Sequence, residues 1–237
     1  MKNAIRILLV IVLLALLLGV PAWWKLHHVS AQPSWITSNP RDLYFYGAVG
    51  GGGASGVPYW MWLAMPRLFP EHLSGPGGYA ALGISWEEGR EMQVGFAKRK
   101  VGYLRVTGNC ALCHAVSTPN GNDQAPAIHP FSGGRTTDIG PLLAFYRNCA
   151  QDPRFNPDEF FSEIDDDTKL SIADRLLYRY FLIPRIKRAL IEDPAGVLLP
   201  AEIRAHARDP HSVAPLSDQQ MKDLANWMKL EGQRPTP

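Results

Sequence analysis

The run Cys110-Ala-Leu-Cys113-His114 constrains this chain more than any other feature of its sequence. Each of the two thiols can add across one vinyl group of a haem, and the imidazole that follows is then held under the iron as the proximal ligand. A redox C-x-x-C pair does not need the following histidine. A structural zinc site usually takes four Cys or His ligands, and Cys149 is the only other cysteine. The motif therefore predicts one covalent c-type haem, bound by Cys110 and Cys113, with His114 as an axial ligand of the iron.

The amino terminus is consistent with attachment of that haem outside the cytoplasm. Lys2 and Arg6 precede residues 7–24, an apolar run without a charge. Its length lies at the lower edge of a bilayer span and would also suit the core of a cleaved signal peptide. The aromatic and basic residues that follow suit a membrane–water interface, which favours a retained segment. We expect residues 1–29 to be a membrane anchor or uncleaved signal, single-pass in the cell inner membrane, with the rest on the periplasmic side.

Length, charge and cysteine count exclude several classes of protein. The chain has 237 residues and a net charge of +2, which is too small to indicate a nucleic-acid partner. It carries one C-x-x-C-H run, so one haem is expected. Cys149 has no cysteine partner left, and we expect it to be a buried, small apolar residue.

Helical patterns are strongest in the carboxyl half. Apolar residues recur at helical spacing in residues 141–150 and 171–183. Asn156, followed by proline and two acidic residues, predicts a helix start. Pro184 should end or kink the second of these helices. Ser217 precedes an amphipathic stretch with apolar residues at Met221, Leu224, Ala225 and Met228.

The remaining segments indicate loops around this helical part. A two-turn helix is predicted to begin at Pro58. Gly and Pro mark residues 74–105 as loop with short extended pieces and residues 115–137 as loop. We therefore predict a mainly α fold. A cytochrome c-like haem domain with long loops would occupy residues 91–237, a loop-rich extension at residues 30–90 would pack on it, and a single N-terminal transmembrane helix would precede both.

A series of short motifs also runs in a fixed order through residues 44–192: Gly56-Val-Pro-Tyr-Trp, Leu68-Phe-Pro-Glu71, Gly75-Pro-Gly-Gly-Tyr79, Val94-Gly-Phe96, Asn109-Cys-Ala-Leu-Cys-His114, Asp152-Pro-Arg-Phe155 and Leu176-Leu-Tyr-Arg-Tyr180. The series resembles the amino-terminal haem region of larger dihaem proteins, the rubber-oxygenase-like branch of the cytochrome c peroxidase relatives. Those proteins continue into a domain with a second C-x-x-C-H run, which this sequence lacks. The resemblance therefore implies a haem region here, and not chemistry that needs two haems.

The residue opposite the proximal histidine decides what such a haem does, because two strong protein ligands suit electron transfer and an open position allows small molecules to bind. His211 is the favoured second metal ligand, since it lies shortly before the amphipathic carboxyl-terminal stretch. His129, a methionine and an open site are the alternatives. Arg105 and Arg135 are candidates for pairing with the haem propionates, and each could equally face water.

These residues lead to one favoured function and two alternatives. The favoured function is a membrane-tethered, periplasmic electron carrier with one haem c, whose partners are the membrane and redox proteins and not nucleic acid. The first alternative is a haem enzyme of peroxidase or oxygenase type with an open sixth position. The second is a haem subunit of a larger membrane electron-transfer complex. An electron carrier is favoured over an enzyme because the sequence shows no catalytic group besides the haem site.

Overall fold

The computed structural model describes residues 6, 19, 28–48, 55–120, 124–130, 139–167, 170–201, 203 and 204. No helix among these residues is both long and apolar enough to cross a membrane. The finding contradicts the prediction of a single N-terminal transmembrane helix, and we withdraw it together with the single-pass inner-membrane location. Residues 7–24, on which that prediction rested, lie outside the described residues apart from Gly19.

A three-stranded antiparallel sheet leads into the haem motif. Its strands are ordered β1-β3-β2, and they span Val57–Pro58 (β1), Phe96–Val101 (β2) and Tyr103–Gly108 (β3). Gly102 turns the chain between β2 and β3 with a φ of 72°, a conformation that glycine adopts at no steric cost. The central strand β3 ends at Gly108, directly before the motif.

The amino-terminal helices pack beside this sheet. They span Ser34–Thr37 (α1), Pro40–Tyr46 (α2) and Tyr59–Leu68 (α3), with single 3₁₀ turns at Pro70–His72 and Gly78–Leu82. The side chain of Asn39 accepts a hydrogen bond from the backbone of Arg41 and caps α2. Helix α3 starts immediately after Pro58, which confirms the predicted helix there.

The C-x-x-C-H run forms a short helix followed by a hairpin, and five further helices follow within the described residues. These elements span Ala111–His114 (α4), Val116–Asn120 (β4), Gln124–His129 (β5), Ile139–Gln151 (α5), Pro157–Asp167 (α6), Ile172–Leu177 (α7), Ile183–Glu192 (α8) and Pro194–Leu198 (α9). Helix α6 begins beside Asn156, whose side chain accepts from the backbone of Asp158 at 3.0 Å and Glu159 at 3.2 Å. The predicted helix start at Asn156 is confirmed.

A π turn at Tyr178–Leu182 joins α7 to α8, so the helix does not end at Pro184. A proline removes one helical hydrogen bond and crowds the carbonyl four residues back. In the π turn the backbone N–H of Ile183 already reaches the carbonyl of Tyr178, five residues back. The wider turn accommodates Pro184. Of the two predicted outcomes, an end or a kink, the end is wrong, and the helical irregularity directly precedes Pro184.

The prediction of a mainly α, cytochrome c-like fold with a transmembrane helix needs a second correction. Segments expected to be loop, with only short extended pieces in residues 74–105, contain β2, the first half of β3 and the β4–β5 hairpin. The pairing of β1 with β3 joins residues far apart in sequence. The pairs β2–β3 and β4–β5 are hairpins, and the Gly and Pro residues around them resemble loop composition. The described part of the chain is therefore a mixed structure of helices around a small sheet.

One hydrophobic core holds the described elements together. It includes buried side chains from Ile36 to Leu199, and α3 packs on α6 while α5 and α9 pack on α8. Side chains from residues 30–90 and from later residues share this core, and the division at residue 90 stays a prediction. Cys149 is fully buried in it, and burial raises the pKa of its thiol. The prediction that Cys149 is a buried apolar residue is confirmed.

Candidate haem-attachment site

The C-x-x-C-H run forms one helical turn whose cysteine and histidine side chains are less buried than its two apolar side chains. The backbone N–H groups of Cys113 and His114 donate to the carbonyl of Cys110 at 3.2 and 3.0 Å. Residues three and four apart on a helix share a face, so both thiols and the imidazole lie on the same side. The two cysteines are half-buried and His114 is exposed, whereas Ala111 and Leu112 are 2% and 1% exposed. The turn thus fits the core with its apolar face and offers its ligand face to a haem.

The state of the two thiols also suits thioether formation. Neither Cys110 nor Cys113 is in a disulfide. Burial raises the pKa of the Cys110 thiol above its ordinary value, so this thiol is protonated at neutral pH. Addition to a vinyl group consumes the thiol together with its proton, because sulfur bonds to one vinyl carbon and the hydrogen to the other. The donor set and its placement therefore fit a covalently bound haem.

Asn109 fastens the start of the turn to helix α2. Its side chain is fully buried, and its Nδ2 donates to the carbonyls of Phe45 at 3.1 Å and Gly47 at 3.0 Å. Its Oδ1 accepts from the backbone N–H of Ala111 at 2.9 Å, which satisfies a free donor at the helix start. A buried amide with three partners fixes the position of the ligand turn relative to α2.

Gly95 lets the ligand turn approach the neighbouring backbone. Its N–H donates to the carbonyl of Phe45 at 3.0 Å, and its own carbonyl accepts from Asn109 at 2.8 Å. A Cβ atom at this position would lie 2.4 Å from the Cα of Leu112, and the φ of Gly95 is +91°. Only glycine combines that conformation with so close an approach. Gly95 and Asn109 thus hold the turn from two sides.

The hairpin that follows the turn carries His129, one of the alternative iron ligands. His129 pairs with Val116 across the hairpin, and its Nε2 lies 3.0 Å from the hydroxyl of Thr118. The structure therefore places this exposed histidine at the base of the hairpin, opposite Val116, which follows His114 by two residues. His211, Arg135 and the two carboxyl-terminal methionines lie outside the described residues.

Arg105 lies in the sheet, away from water. Its side chain is buried and donates to the carbonyls of Ser55 and Val101, each at 3.1 Å. The guanidinium also lies 4.3 Å from the ring centre of Tyr103, and burial lowers its pKa. These contacts give Arg105 a structural role in joining β3 to the loop before β1, which neither sequence alternative anticipated.

Two of the short motifs quoted for the family resemblance meet in space. Arg154 donates to the carbonyl of Leu68 at 2.9 Å and to the carboxylate of Asp152 at 2.8 Å, and it also pairs with Glu71. Its guanidinium lies 5.2 Å from the ring centre of Phe69. Arg154 therefore fastens the segment after α3 to the turn between α5 and α6.

The same place brings together three side chains of the kinds that bind metals. Ligand atoms of Glu71, His72 and Asp152 lie within 4.8 Å of one another, with the Nε2 of His72 at 3.5 Å from Asp152. The Arg154 guanidinium already pairs with both carboxylates at this place. This cluster is therefore an arginine-centred ion network.

Comparison with known proteins adds no name to the site. No protein-family model, no curated protein and no solved structure matches the chain. The function is therefore inferred from the residues and their arrangement.

Proposed function

We propose that this chain is an electron carrier with one haem c, bound through Cys110 and Cys113 and ligated by His114. The observation that carries the proposal is the ligand turn itself. Its two cysteines and its histidine face outward while Ala111 and Leu112 fill the core. When bound, the haem supplies one-electron redox chemistry. The short motifs shared with the haem region of the dihaem peroxidase relatives support the same assignment.

The surroundings of the turn suit electron transfer. Asn109 and Gly95 fix the turn to the body of the protein, and they would hold the backbone of His114 in place when a haem is bound. Near the turn, the Nε2 of His129 lies 3.0 Å from the hydroxyl of Thr118. The exposed face of the turn would be the surface that a redox partner protein contacts. His211 stays a prediction for the second axial ligand.

Mass spectrometry of the denatured protein tests the cofactor. The chain should carry the added mass of one haem, and the Cys110→Ala, Cys113→Ala double variant should lose it. Cys149→Ala is the matched control and should keep the haem, because Cys149 is buried in another part of the core. Covalent haem on the double variant, or none on the natural chain, would contradict the proposal.

Absorption spectra with and without carbon monoxide test the choice between carrier and enzyme. A low-spin reduced haem that does not bind carbon monoxide has two protein ligands and supports electron transfer. Rapid binding of carbon monoxide would instead mean an open position and favour the peroxidase or oxygenase alternative. His211→Ala should convert a six-coordinate haem to a carbon monoxide-binding one if His211 is the second ligand.

A further inference from the structure

The helix from Ile172 to Glu192 exposes large apolar side chains to solvent. The exposed fractions are 80% for Ile172, 52% for Leu176, 65% for Tyr180 and 67% for Phe181. The first three of these belong to the apolar residues that recur at helical spacing in residues 171–183. The opposite side of the helix carries the side chains that enter the core, namely Tyr178, Leu182, Ile183, Ile186 and Leu190. We call the exposed row of Ile172, Leu176, Tyr180, Phe181, Pro184, Arg185 and Arg188 the outer face.

The π turn keeps this outer face straight. Ile172, Leu176, Tyr180 and Pro184 follow one another at intervals of four residues. In an α-helix four residues exceed one turn, so such a row drifts around the axis. The wider turn at Tyr178–Leu182 reduces that drift, and all four residues are exposed. The helix therefore presents a continuous apolar row with a basic end.

The basic side chains of the helix that point outward lie at one end of the outer face. Arg185 and Arg188 are exposed beyond the apolar row. Lys187 donates inward to the carbonyl of Phe155 at 3.0 Å, and Arg179 pairs with Asp158 at 2.6 Å. The two arginines at the end of the outer face thus give it an outward positive charge. Apolar and aromatic residues beside exposed arginines are typical of helices that lie in a membrane interface.

We propose that the outer face binds the surface of a bilayer that contains anionic lipid. The aromatic and aliphatic side chains would enter the boundary between headgroups and acyl chains, and Arg185 and Arg188 would contact lipid phosphates. The proposal requires no helix that crosses the bilayer and does not depend on the haem. The choice of an anionic bilayer as the binding partner follows from charge complementarity, because an apolar surface with a basic end suits an anionic interface.

A photoreactive residue in the full chain tests whether lipid contacts the outer face. Phe181 is replaced by p-benzoylphenylalanine, and the protein is irradiated with vesicles of phosphatidylcholine, with or without phosphatidylglycerol. The matched probe replaces Trp86, an exposed aromatic residue outside the helix that is 50% exposed. Both probes sit in the same chain, so any other segment that reaches the vesicles delivers both equally and only their ratio matters. With the anionic vesicles, we expect lipid adducts to be about tenfold more abundant at position 181 than at position 86.

Variants then test the arginines. Arg185→Gln with Arg188→Gln should lower the adducts at position 181 about tenfold, whereas Arg147→Gln, an exposed arginine on α5, should leave them unchanged. Four outcomes would each overturn the proposal. Lipid adducts could be equally abundant at positions 181 and 86, or they could be unaffected by the double variant. The probe at position 181 could instead crosslink to another part of this chain or to a second copy, or it could give no adduct. The Cys110→Ala, Cys113→Ala variant should give the same adducts, so failure here and failure of haem attachment are separate results.

Discussion

At the scale of single residues, two positions without redox chemistry decide where the candidate haem ligands lie. Asn109 and Gly95 together make five hydrogen bonds that join the ligand turn, α2 and the loop before β2. Both occur in the sequence next to recognisable features, yet their roles depend on partners more than 40 residues away in Phe45 and Gly47. The cysteines and the histidine could be found from spacing alone, whereas these supports required the fold.

Gly95→Ala should be severely destabilising. The new Cβ would lie 2.4 Å from the Cα of Leu112, at a φ of +91°, so both strain and overlap with backbone must be relieved. We expect a loss of about 3 kcal/mol in the free energy of unfolding, measured by denaturant titration. Gly89→Ala is the control, since Gly89 also has a positive φ and no atom within 4 Å of the added Cβ. It should lose about 1 kcal/mol, and equal losses would contradict the argument.

Glu87 should make the protein sensitive to acid. Burial would raise the pKa of this carboxyl, but hydrogen bonds from Arg41 and Tyr46, each at 2.5 Å, outweigh it and hold the pKa below the usual 4.5. A lowered pKa in the folded state means that this stabilisation is present above pH 4.5 and is lost as the pH falls below it. Glu87→Gln should therefore flatten the decline in thermal stability below pH 4.5.

The neighbouring Glu88→Gln is the control for that measurement, because Glu88 is exposed. It should leave the acid decline as it is in the natural chain. A Glu87→Gln variant with the same decline as the natural chain would show that the contacts with Arg41 and Tyr46 do not contribute.

At the scale of elements, the helices of the carboxyl half were predictable, whereas the strands and the helices α1 and α2 were not. The cap at Asn156 and the apolar spacing of α5 are local signals, and the structure follows both. Strands β2 and β3 depend on pairing between them, and the hairpin β4–β5 lies in a stretch rich in Pro and Gly. For the helix from Ile172, periodicity revealed an apolar stripe but could not tell that a second, inward face packs on the core.

Asn156→Ala should weaken the start of α6. Its Oδ1 accepts from the backbone of Asp158 and Glu159, and alanine offers no acceptor for either N–H. We expect a loss of about 1 kcal/mol in the free energy of unfolding, with faster amide hydrogen exchange in the first turn of α6. Asn148→Ala, at an exposed position within α5, should show neither effect. Unchanged exchange in α6 would contradict a capping role.

At the scale of the whole described molecule, long-range contacts unite parts that the sequence suggested were separate. Arg154 connects α3's end with the turn before α6, and Phe69 stacks on Phe155 with ring centres 6.1 Å apart. The sequence contained these residues as motifs of a family resemblance, without any indication that they meet. The predicted fold class did not include the sheet, in which the pairing of β1 with β3 joins distant parts of the chain.

Arg154→Ala should loosen that connection. It removes a hydrogen bond to the carbonyl of Leu68 and the charge between Glu71 and Asp152. We expect a loss of about 1.5 kcal/mol in the free energy of unfolding, because the pairs are partly exposed. Arg147→Ala on the exposed side of α5 should change stability by about 0.5 kcal/mol or less. A similar small change for Arg154→Ala would mean that aromatic stacking alone joins these segments.

The contact between the earliest strand and the last described helix bears on the order of events during synthesis. The backbone N–H of Gly56 donates to the carbonyl of Val197 at 2.6 Å, and Gly108 lies against Leu199. Translation adds roughly 5 to 20 residues each second, so Val197 is made several seconds after His114. During that interval the ligand turn exists in a chain whose β1 lacks its final partner. The residues of the ligand turn are therefore synthesised well before the segment that completes the hydrogen bonding beside β1.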